Sequence, residues 1–304
     1  MDQNRMPLVE ALQQFREEAP AYFRIPGHRF ERGLDETLNG ASLAAYDLSE
    51  AEGLDDLHHA EGVIAEAQKL AAETWKAKKT FFLVNGTTCG NEAMVLSSVK
   101  EGEKIIVPRN VHKSVLMGLI LSGATPVYVM PEYSTKWQMW GGVTPETIEK
   151  AFAETPDAKA VLLVSPTYYG LCSDLQAIAE ICHCHNAALL VDEAHGSHLY
   201  FSEQLPLGAL ESGADACAQS IHKTAGSFTQ SSFLSLGSGR LDEARVAANL
   251  QMVQSTSPSY LLMASLDAAR RMIHADRFGK CLACADGALM GAGKVRIALG
   301  KRVL

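Results

Sequence analysis

Lys223 lies in a stretch of small and hydroxyl-bearing residues that could do chemistry. Its polar neighbours are Ser220, His222, Gly226, Ser227, Thr229 and Gln230. Such neighbours can bind an anion and restrain the amine, which favours a lysine that forms a Schiff base with a carbonyl compound. A lysine in an ordinary solvated loop is the alternative, and other parts of the sequence must decide between the two.

A second candidate group, Asp192, ends an apolar run of Leu-Leu-Val. An unpaired carboxylate would be costly there, so Asp192 needs a cationic or hydrogen-bonding partner. A protonated pyridine nitrogen would supply one, and a ring held in that form is a better electron sink. A metal ion is the competing interpretation, because Asp192, His195 and His198 offer three ligands within seven residues. We rank the metal lower, because it would leave Lys223 without a task.

Residues 85–91 are predicted to form a turn before a helix at 92–99, and the turn begins with Asn-Gly-Thr-Thr, which combines a glycine with two hydroxyl groups. A helix N-terminus with free N–H groups is an anion site, so Gly86, Thr87 and Thr88 are candidates for binding a phosphate monoester. Helix capping by a threonine is the alternative. The turn lacks the Gly-Lys-Ser/Thr of a Walker motif and the glycine spacing of a dinucleotide fold.

His112 follows the next predicted strand and begins a helix. Its imidazole could stack on an aromatic ring, or it could be an ordinary capping or core histidine. A phosphate turn, a stacking histidine, an aspartate at a strand end and a Schiff-base lysine together specify pyridoxal 5′-phosphate, and the combination is far more specific than any one part.

From Thr80 onward, short apolar runs alternate with helical stretches, which is typical of an α/β fold. We predict a three-layer sandwich with a mainly parallel central sheet. The predicted strands are 81–84, 104–107, 126–130, 160–164, 187–191 and 214–219. Functional loops in such sheets lie at the carboxyl ends of the strands, so the four candidate groups should converge on one crevice.

In these residues the chain resembles the ornithine/lysine/arginine decarboxylases. They belong to the aspartate-aminotransferase-like, fold-type I enzymes, which use pyridoxal phosphate. The resemblance covers about residues 20 to 270 in unbroken order. The matching stretches are Pro26-Gly27-His28, Gly53-Leu54-Asp55-Asp56-Leu57, Asn85-Gly86-Thr87-Thr88-x-Gly90-Asn91, Arg109-Asn110-x-His112-Lys113-Ser114, Pro166-Thr167-Tyr168-Tyr169-Gly170, Asp192-Glu193-Ala194-His195-Gly196 and Ser220-Ile221-His222-Lys223-Thr224.

The resemblance implies a role for each candidate residue. Lys223 would hold the cofactor as a Schiff base, and Asp192 would pair with the pyridine nitrogen. His112 would stack on the ring, and His195 would lie beside it. The phosphate would be bound by Gly86, Thr87, Thr88, Ser220 and His222. The implied activity is decarboxylation of arginine, lysine or ornithine in a homodimer. An aminotransferase or other lyase of this fold, or a non-catalytic subunit, is the alternative.

The composition agrees with a globular enzyme of 304 residues with 47% hydrophobic content. The net charge of −8 argues against a nucleic-acid-binding surface. The first twenty residues resemble neither a signal peptide nor a membrane anchor, so no membrane partner is expected. An odd count of seven cysteines favours reduced thiols in the cytoplasm.

We expect three segments along the chain. They are an N-terminal helix and arm (1–60), a large cofactor-binding domain (61–275) and an atypical tail (276–304) in which the small domain of the family is missing or truncated. Cys182-His183-Cys184-His185 is interpreted as structural thiols and a helix-end histidine, and Cys281 with Cys284 lacks a second pair for a zinc site. Acidic residues of 53–61 are candidates for receiving the distal cation of a basic amino acid.

Overall fold

A computed structural model describes residues 1–18 and 42–274 of the chain. The arm around residues 24–29 and the tail from residue 276, with Cys281 and Cys284, lie outside these ranges. The proposed domain boundaries therefore stay predictions.

Within the described residues, a seven-stranded sheet forms the centre of the protein. In chain order, the strands of this sheet and of a separate two-stranded pair are β1 (Lys79–Leu83), β2 (Lys104–Pro108), β3 (Thr125–Val129), β4 (Tyr133–Ser134), β5 (Met139–Trp140), β6 (Ala160–Val164), β7 (Ala188–Asp192), β8 (Ala216–Gln219) and β9 (Ser232–Leu236). The order across the sheet is β1-β9-β8-β7-β6-β2-β3, and β4 and β5 form a separate hairpin. Within this sheet β9 alone points in the opposite direction to the other strands, so the sheet is mainly parallel, as predicted.

Helices cover both faces of the sheet. They are α1 (Pro7–Glu18), α2 (Val63–Thr74), α3 (Gly86–Ser98), α4 (Lys113–Ser122), α5 (Pro145–Glu154), α6 (Leu175–Cys184), α7 (Ile221–Thr224), α8 (Glu243–Val253) and α9 (Tyr260–Met272). Strand side chains alternate between the faces, so Leu162 packs with α3, α4 and α8 while Val161 and Leu163 pack with α5 and α6. A third cluster joins α1, α2 and α9. This arrangement confirms the predicted three-layer α/β sandwich.

The β1–α3 connection is tighter than the sequence pattern predicts. We expected residues 85–91 to form a turn, yet α3 already begins at Gly86, whose φ is +70°. A positive φ is accessible to glycine without a steric penalty, so the chain can turn from the strand directly into the helix. As a result, Thr87 and Asn91 lie in the first turns of α3 and face the end of the sheet.

Candidate active site at the carboxyl ends of the strands

The predicted site residues all follow the carboxyl ends of strands. Gly86, Thr87 and Thr88 follow β1, and His112 follows β2. Asp192 is the last residue of β7, while the Lys223 helix α7 follows β8. Because β1 and the parallel strands end at the same edge of the sheet, side chains that are far apart in sequence meet there.

Lys223 is exposed on α7, and its Nζ lies 3.3 Å from Nε2 of His195. The next residue, Thr224, is fixed by a 2.5 Å hydrogen bond between its Oγ1 and the Ser197 Oγ. Ser197 is in turn held through its carbonyl oxygen, which accepts from the indole of the buried Trp75. The loop after β7 and the lysine helix are therefore tied together next to the Lys223–His195 contact.

His195 is partly buried, and its environment disfavours the charged imidazolium. Burial lowers the pKa of His195, and the positive charge of Lys223 lowers it further. A neutral imidazole can accept a hydrogen bond at Nε2, so the Lys223 ammonium is the donor in this contact. His195 can thus receive a proton from Lys223, and the pair then still carries a single positive charge.

Asp192 is buried, with 3% of its surface exposed. Its Oδ2 accepts from Asn91 Nδ2 at 2.8 Å, and its Oδ1 accepts from the backbone N–H of Ala194 at 3.2 Å. Burial raises the pKa of Asp192, while these two hydrogen bonds and the nearby charges of His112 and Lys223 oppose that rise. Such a carboxyl group is set up to hold a proton on a cationic ring nitrogen.

The hydroxyl groups predicted to bind phosphate lie together at the start of α3. Thr87 Oγ1 is 2.5 Å from Ser220 Oγ, and both side chains are buried, while Thr88 is exposed. The Gly86 N–H donates to the carbonyl of Gln230, whereas the first N–H groups of a helix have no partner within the helix itself. The Asn85 side chain makes no capping hydrogen bond at this end.

His222 has one ring nitrogen already engaged. Its Nδ1 donates to the Ser231 carbonyl at 2.9 Å, because a carbonyl oxygen can only accept. Only Nε2 remains for a ligand, and it can donate to a phosphate oxygen only when the ring is protonated.

His112 caps α4 and is exposed. Its Nδ1 accepts from the Ser114 N–H at 3.2 Å and lies 2.8 Å from the Ser114 Oγ. Ser114 also contacts Asn91, the residue that binds Asp192. The sequence pattern alone did not indicate a role for Asn91 or Ser114. One signal was available for Asn91, since it follows Thr87 by four residues and therefore shares its helix face.

The structure gives two other acidic residues a different task. Asp55 accepts hydrogen bonds from the N–H groups of Asp56, Glu61, Gly62, Ile64 and Ala65. Asp56 caps the short helix at Leu57–His59. These carboxylates are used to cap helices, so their geometry does not support the expected contact with a substrate cation.

Three further observations concern metal ions, thiols and membranes. In residues 1–18 and 42–274, no group of three or more His, Cys, Asp and Glu side chains is arranged to hold a metal ion. Burial raises the pKa of the Cys182 thiol to about 12, in agreement with a structural thiol. No helix in the described part of the chain is long and apolar enough to span a membrane.

Comparison with known proteins gives a consistent family. The family model of the Orn/Lys/Arg decarboxylase major domain matches residues 6–286. The chain is 46% identical over 272 residues to an arginine decarboxylase of Halalkalibacterium halodurans and 43% identical over 276 residues to one of Bacillus subtilis. These matches cover 88% and 90% of this chain. The chain spans only 55% and 56% of the length of these two relatives.

The fold is also similar to a solved structure of known activity. Lysine decarboxylase A from Pseudomonas aeruginosa superimposes with a TM-score of 0.82 at 28% sequence identity. The match covers 93% of this chain and 42% of that one.

Proposed function

The chain belongs to the Orn/Lys/Arg decarboxylase family, and on that basis we propose that it binds pyridoxal 5′-phosphate and decarboxylates a basic amino acid. Arginine is the substrate we expect first, because the relatives at 43% and 46% identity are named arginine decarboxylases. One observation carries the proposal. The amine of Lys223 lies 3.3 Å from His195 at the same edge of the sheet as the buried Asp192 carboxyl.

The side chains at this edge fit the proposed cofactor in their chemistry. The Thr87 and Ser220 hydroxyls lie at the start of α3 and suit a phosphate group. The buried Asp192 carboxyl suits a protonated ring nitrogen, and the exposed His112 imidazole suits the face of a flat ring. The exposed Lys223 amine suits an aldehyde.

When bound, pyridoxal phosphate supplies an aldehyde that condenses with amines and an electron-withdrawing ring. Asp192 would hold the hydrogen on the ring nitrogen, with Asn91 and the Ala194 N–H fixing the two carboxylate oxygens. His112 would pack against the ring, and Gly86, Thr87, Thr88, Ser220 and His222 would bind the phosphate. Loss of CO2 is favoured when the α-carboxylate lies in poorly solvating surroundings.

Lys223 must lose a proton before its amine can act as a nucleophile. The neutral His195 is the acceptor closest to Nζ in the described hydrogen-bond network, so it would take that proton and later return it. We therefore propose Lys223 as the nucleophile and His195 as its proton partner. His195 then acts directly on the reacting amine.

We also propose that the active form is a homodimer. Its interface would include the outer face of α4, which begins next to His112 and exposes Met117, Ile120 and Leu121. Apolar side chains grouped on one exposed helix face favour a protein partner.

The test adds pyridoxal phosphate to the chain of 304 residues and records the visible absorbance of a protein-bound Schiff base. We expect this band in the unmodified protein and its loss in Lys223→Ala. Lys100→Ala, which removes an exposed lysine elsewhere, should keep it. Arginine, lysine and ornithine are then supplied in turn, and the amine product is identified by mass spectrometry.

Each outcome has a distinct meaning. Agmatine formation from arginine would support the whole proposal, and product from lysine or ornithine alone would correct the substrate. A Lys223-dependent band without any amine product would leave cofactor binding and remove decarboxylation. The absence of a band in the unmodified protein would contradict the proposed function.

A further inference from the structure

A buried chain of hydrogen bonds joins Asp192 to His112 through Asn91 and Ser114. Asn91 Nδ2 lies 2.8 Å from Asp192 Oδ2 and 2.9 Å from Ser114 Oγ. Ser114 Oγ is 2.8 Å from His112 Nδ1. The four side chains come from α3, the start of α4 and the end of β7. Asp192 would contact the nitrogen of a flat ring, and His112 would contact its face. The hydrogen bonds therefore couple the positions of these two side chains.

The direction of each hydrogen bond follows from the donors that are present. Asp192 accepts, so Asn91 presents its amide nitrogen, and the second hydrogen of that nitrogen points to Ser114. Ser114 Oγ accepts from Asn91, which leaves its own hydrogen for His112 Nδ1. The Ser114 backbone N–H also donates to Nδ1, at 3.2 Å. Nδ1 therefore carries no hydrogen, and the neutral imidazole has its hydrogen on Nε2.

Burial makes this chain more than a surface contact. Asn91 and Ser114 are each only 1% exposed. The other amide atom of Asn91, Oδ1, is buried and has no hydrogen-bond partner among the described residues. An unpaired buried acceptor costs free energy. The two hydrogen bonds donated by Nδ2 offset this cost, and they favour an amide over an apolar side chain at this position.

We propose that Asn91 and Ser114 are positioning residues that hold the Asp192 carboxylate and the His112 imidazole in one fixed arrangement for the cofactor ring. The inference deepens the proposed function and rests on it for the identity of the ligand. The hydrogen-bond chain and the tautomer of His112 are properties of the ligand-free protein, which allows the two to be tested separately.

The protein offers a matched control. Asn249 donates from Nδ2 to Ser97 Oγ at 2.8 Å, is also buried, and contacts the same helix α3 far from the strand ends. Asn249→Ala thus removes a buried asparagine–serine bond of the same kind without touching Asp192 or His112. The test variants are Asn91→Ala, Asn91→Asp, Ser114→Ala and the double variant of the two alanine changes.

The first measurement is ¹⁵N NMR of histidine-labelled, ligand-free protein, with His112→Phe to identify the resonances. We expect His112 in the unmodified protein and in Asn249→Ala to have its hydrogen on Nε2. In Ser114→Ala and Asn91→Ala the share of the Nε2–H form should fall, because the Oγ donor is lost or no longer oriented and only the backbone N–H of residue 114 still donates to Nδ1. If the tautomer populations of His112 are the same in every variant, the proposal is overturned, whether or not the chain binds the cofactor.

The second measurement is the dissociation constant for pyridoxal phosphate, together with circular dichroism of its visible band. Loss of a hydrogen bond to a charged group predicts about a tenfold weaker affinity for Asn91→Ala. Asn91→Asp preserves the volume but turns the donor toward Asp192 into an acceptor, so it should be at least as damaging. A role in packing alone would leave Asn91→Asp close to the unmodified protein.

The double variant tests whether the chain acts as one unit. Its loss of affinity should be smaller than the product of the two single losses. The proposal is overturned if the two single losses of affinity multiply in the double variant. It is also overturned if affinity and dichroism are unchanged in the single variants. Either result would leave cofactor binding itself intact. If the unmodified protein binds no cofactor, the proposed function fails and the tautomer measurement alone decides this inference.

Discussion

At the scale of single residues, Glu193 is a buried carboxyl group directly behind the site. Its Oε2 accepts from the Tyr200 hydroxyl and from Gln219 Nε2, and its Oε1 accepts from the Ala209 N–H. Burial raises the pKa of Glu193 to about 7, although these hydrogen bonds oppose the rise. The Cys217 thiol and the Tyr200 hydroxyl face the same carboxyl. Glu193 is thus an acidic group beside the site that titrates near neutral pH.

This pKa predicts how stability depends on pH. The folded state holds the Glu193 proton more tightly than the unfolded state, whose pKa is near the ordinary value of 4.5. The stabilisation of the folded state by the Glu193 proton is therefore fully present below about pH 4.5 and is lost as the pH rises through about 7. Relative to Glu193→Gln, which does not titrate, the unmodified protein should lose about 1.4 kcal/mol of unfolding free energy per pH unit in that window.

Urea unfolding across this pH range measures the difference. Gln219 Oε1 is a buried acceptor without a partner in the described part of the chain, so a flipped Gln219 amide can accept from the side-chain amide that Glu193→Gln introduces. The exposed Glu203→Gln is the control and should leave the slope unchanged. Parallel pH profiles for Glu193→Gln and the unmodified protein would contradict the assignment.

The sequence predicted site residues whose chemistry is visible from their type and position. Lys223 lies among hydroxyl groups and Asp192 ends an apolar strand, and few structural roles fit either pattern. Asn91, Ser114 and Glu193 could not be assigned in the same way, because their roles depend on contacts between strand ends that are distant in sequence. The five backbone partners of Asp55 could not be predicted either, because only its charge is visible in the sequence.

At the scale of elements, the edge strand β1 is completed by two glutamine side chains. The Phe82 N–H donates to Gln68 Oε1 and the Val84 N–H donates to Gln254 Oε1, each at 2.9 Å. Val84 leads into the turn before α3, and the same turn is held where Asn85 Nδ2 donates to the Val253 carbonyl. The end of α8 therefore fixes the point at which the turn proposed to bind phosphate begins.

Replacing Gln254 by methionine keeps the length of the side chain and removes the acceptor. The buried Val84 N–H would be left unpaired, which should lower the unfolding free energy by about 1 to 3 kcal/mol. Gln251→Met, at an exposed position on the same helix, is the matched control. Urea unfolding compares the two, and equal stability would show that the Val84 bond contributes nothing.

The sequence pattern also predicted some strands and helices correctly and missed others. Strand β6 begins and ends where the apolar pattern indicated. The antiparallel strand β9 and helix α8 were missed, because Ser232–Leu236 follows a polar loop and has no alternation that distinguishes it from the loop. Since β9 lies between β1 and β8, the phosphate turn and the lysine helix were expected to converge without the strand that separates them.

At the scale of the whole molecule, the outer face of α4 is the surface that a second copy would cover. Ser114, Val115 and Leu119 face α3 and the sheet, whereas Met117, Ile120 and Leu121 are exposed at the spacing of one helix face. A Cβ at Gly118 would meet Val95 at 3.0 Å, so α4 packs closely on α3 through the opposite face. We therefore place the proposed contact with a second copy on the exposed face.

Ile120 is 72% exposed, and Ile120→Asp would bury a charge in the proposed interface while leaving the monomer unstrained. We expect light scattering after gel filtration to give twice the chain mass for the unmodified protein and mainly the single-chain mass for this variant. Leu207→Asp, at an exposed leucine outside α4, should remain a dimer. Because α4 begins beside His112, a change that separates the copies should also weaken cofactor binding. A dimer that survives Ile120→Asp would move the interface elsewhere, and a single-chain mass for the unmodified protein would remove the homodimer altogether.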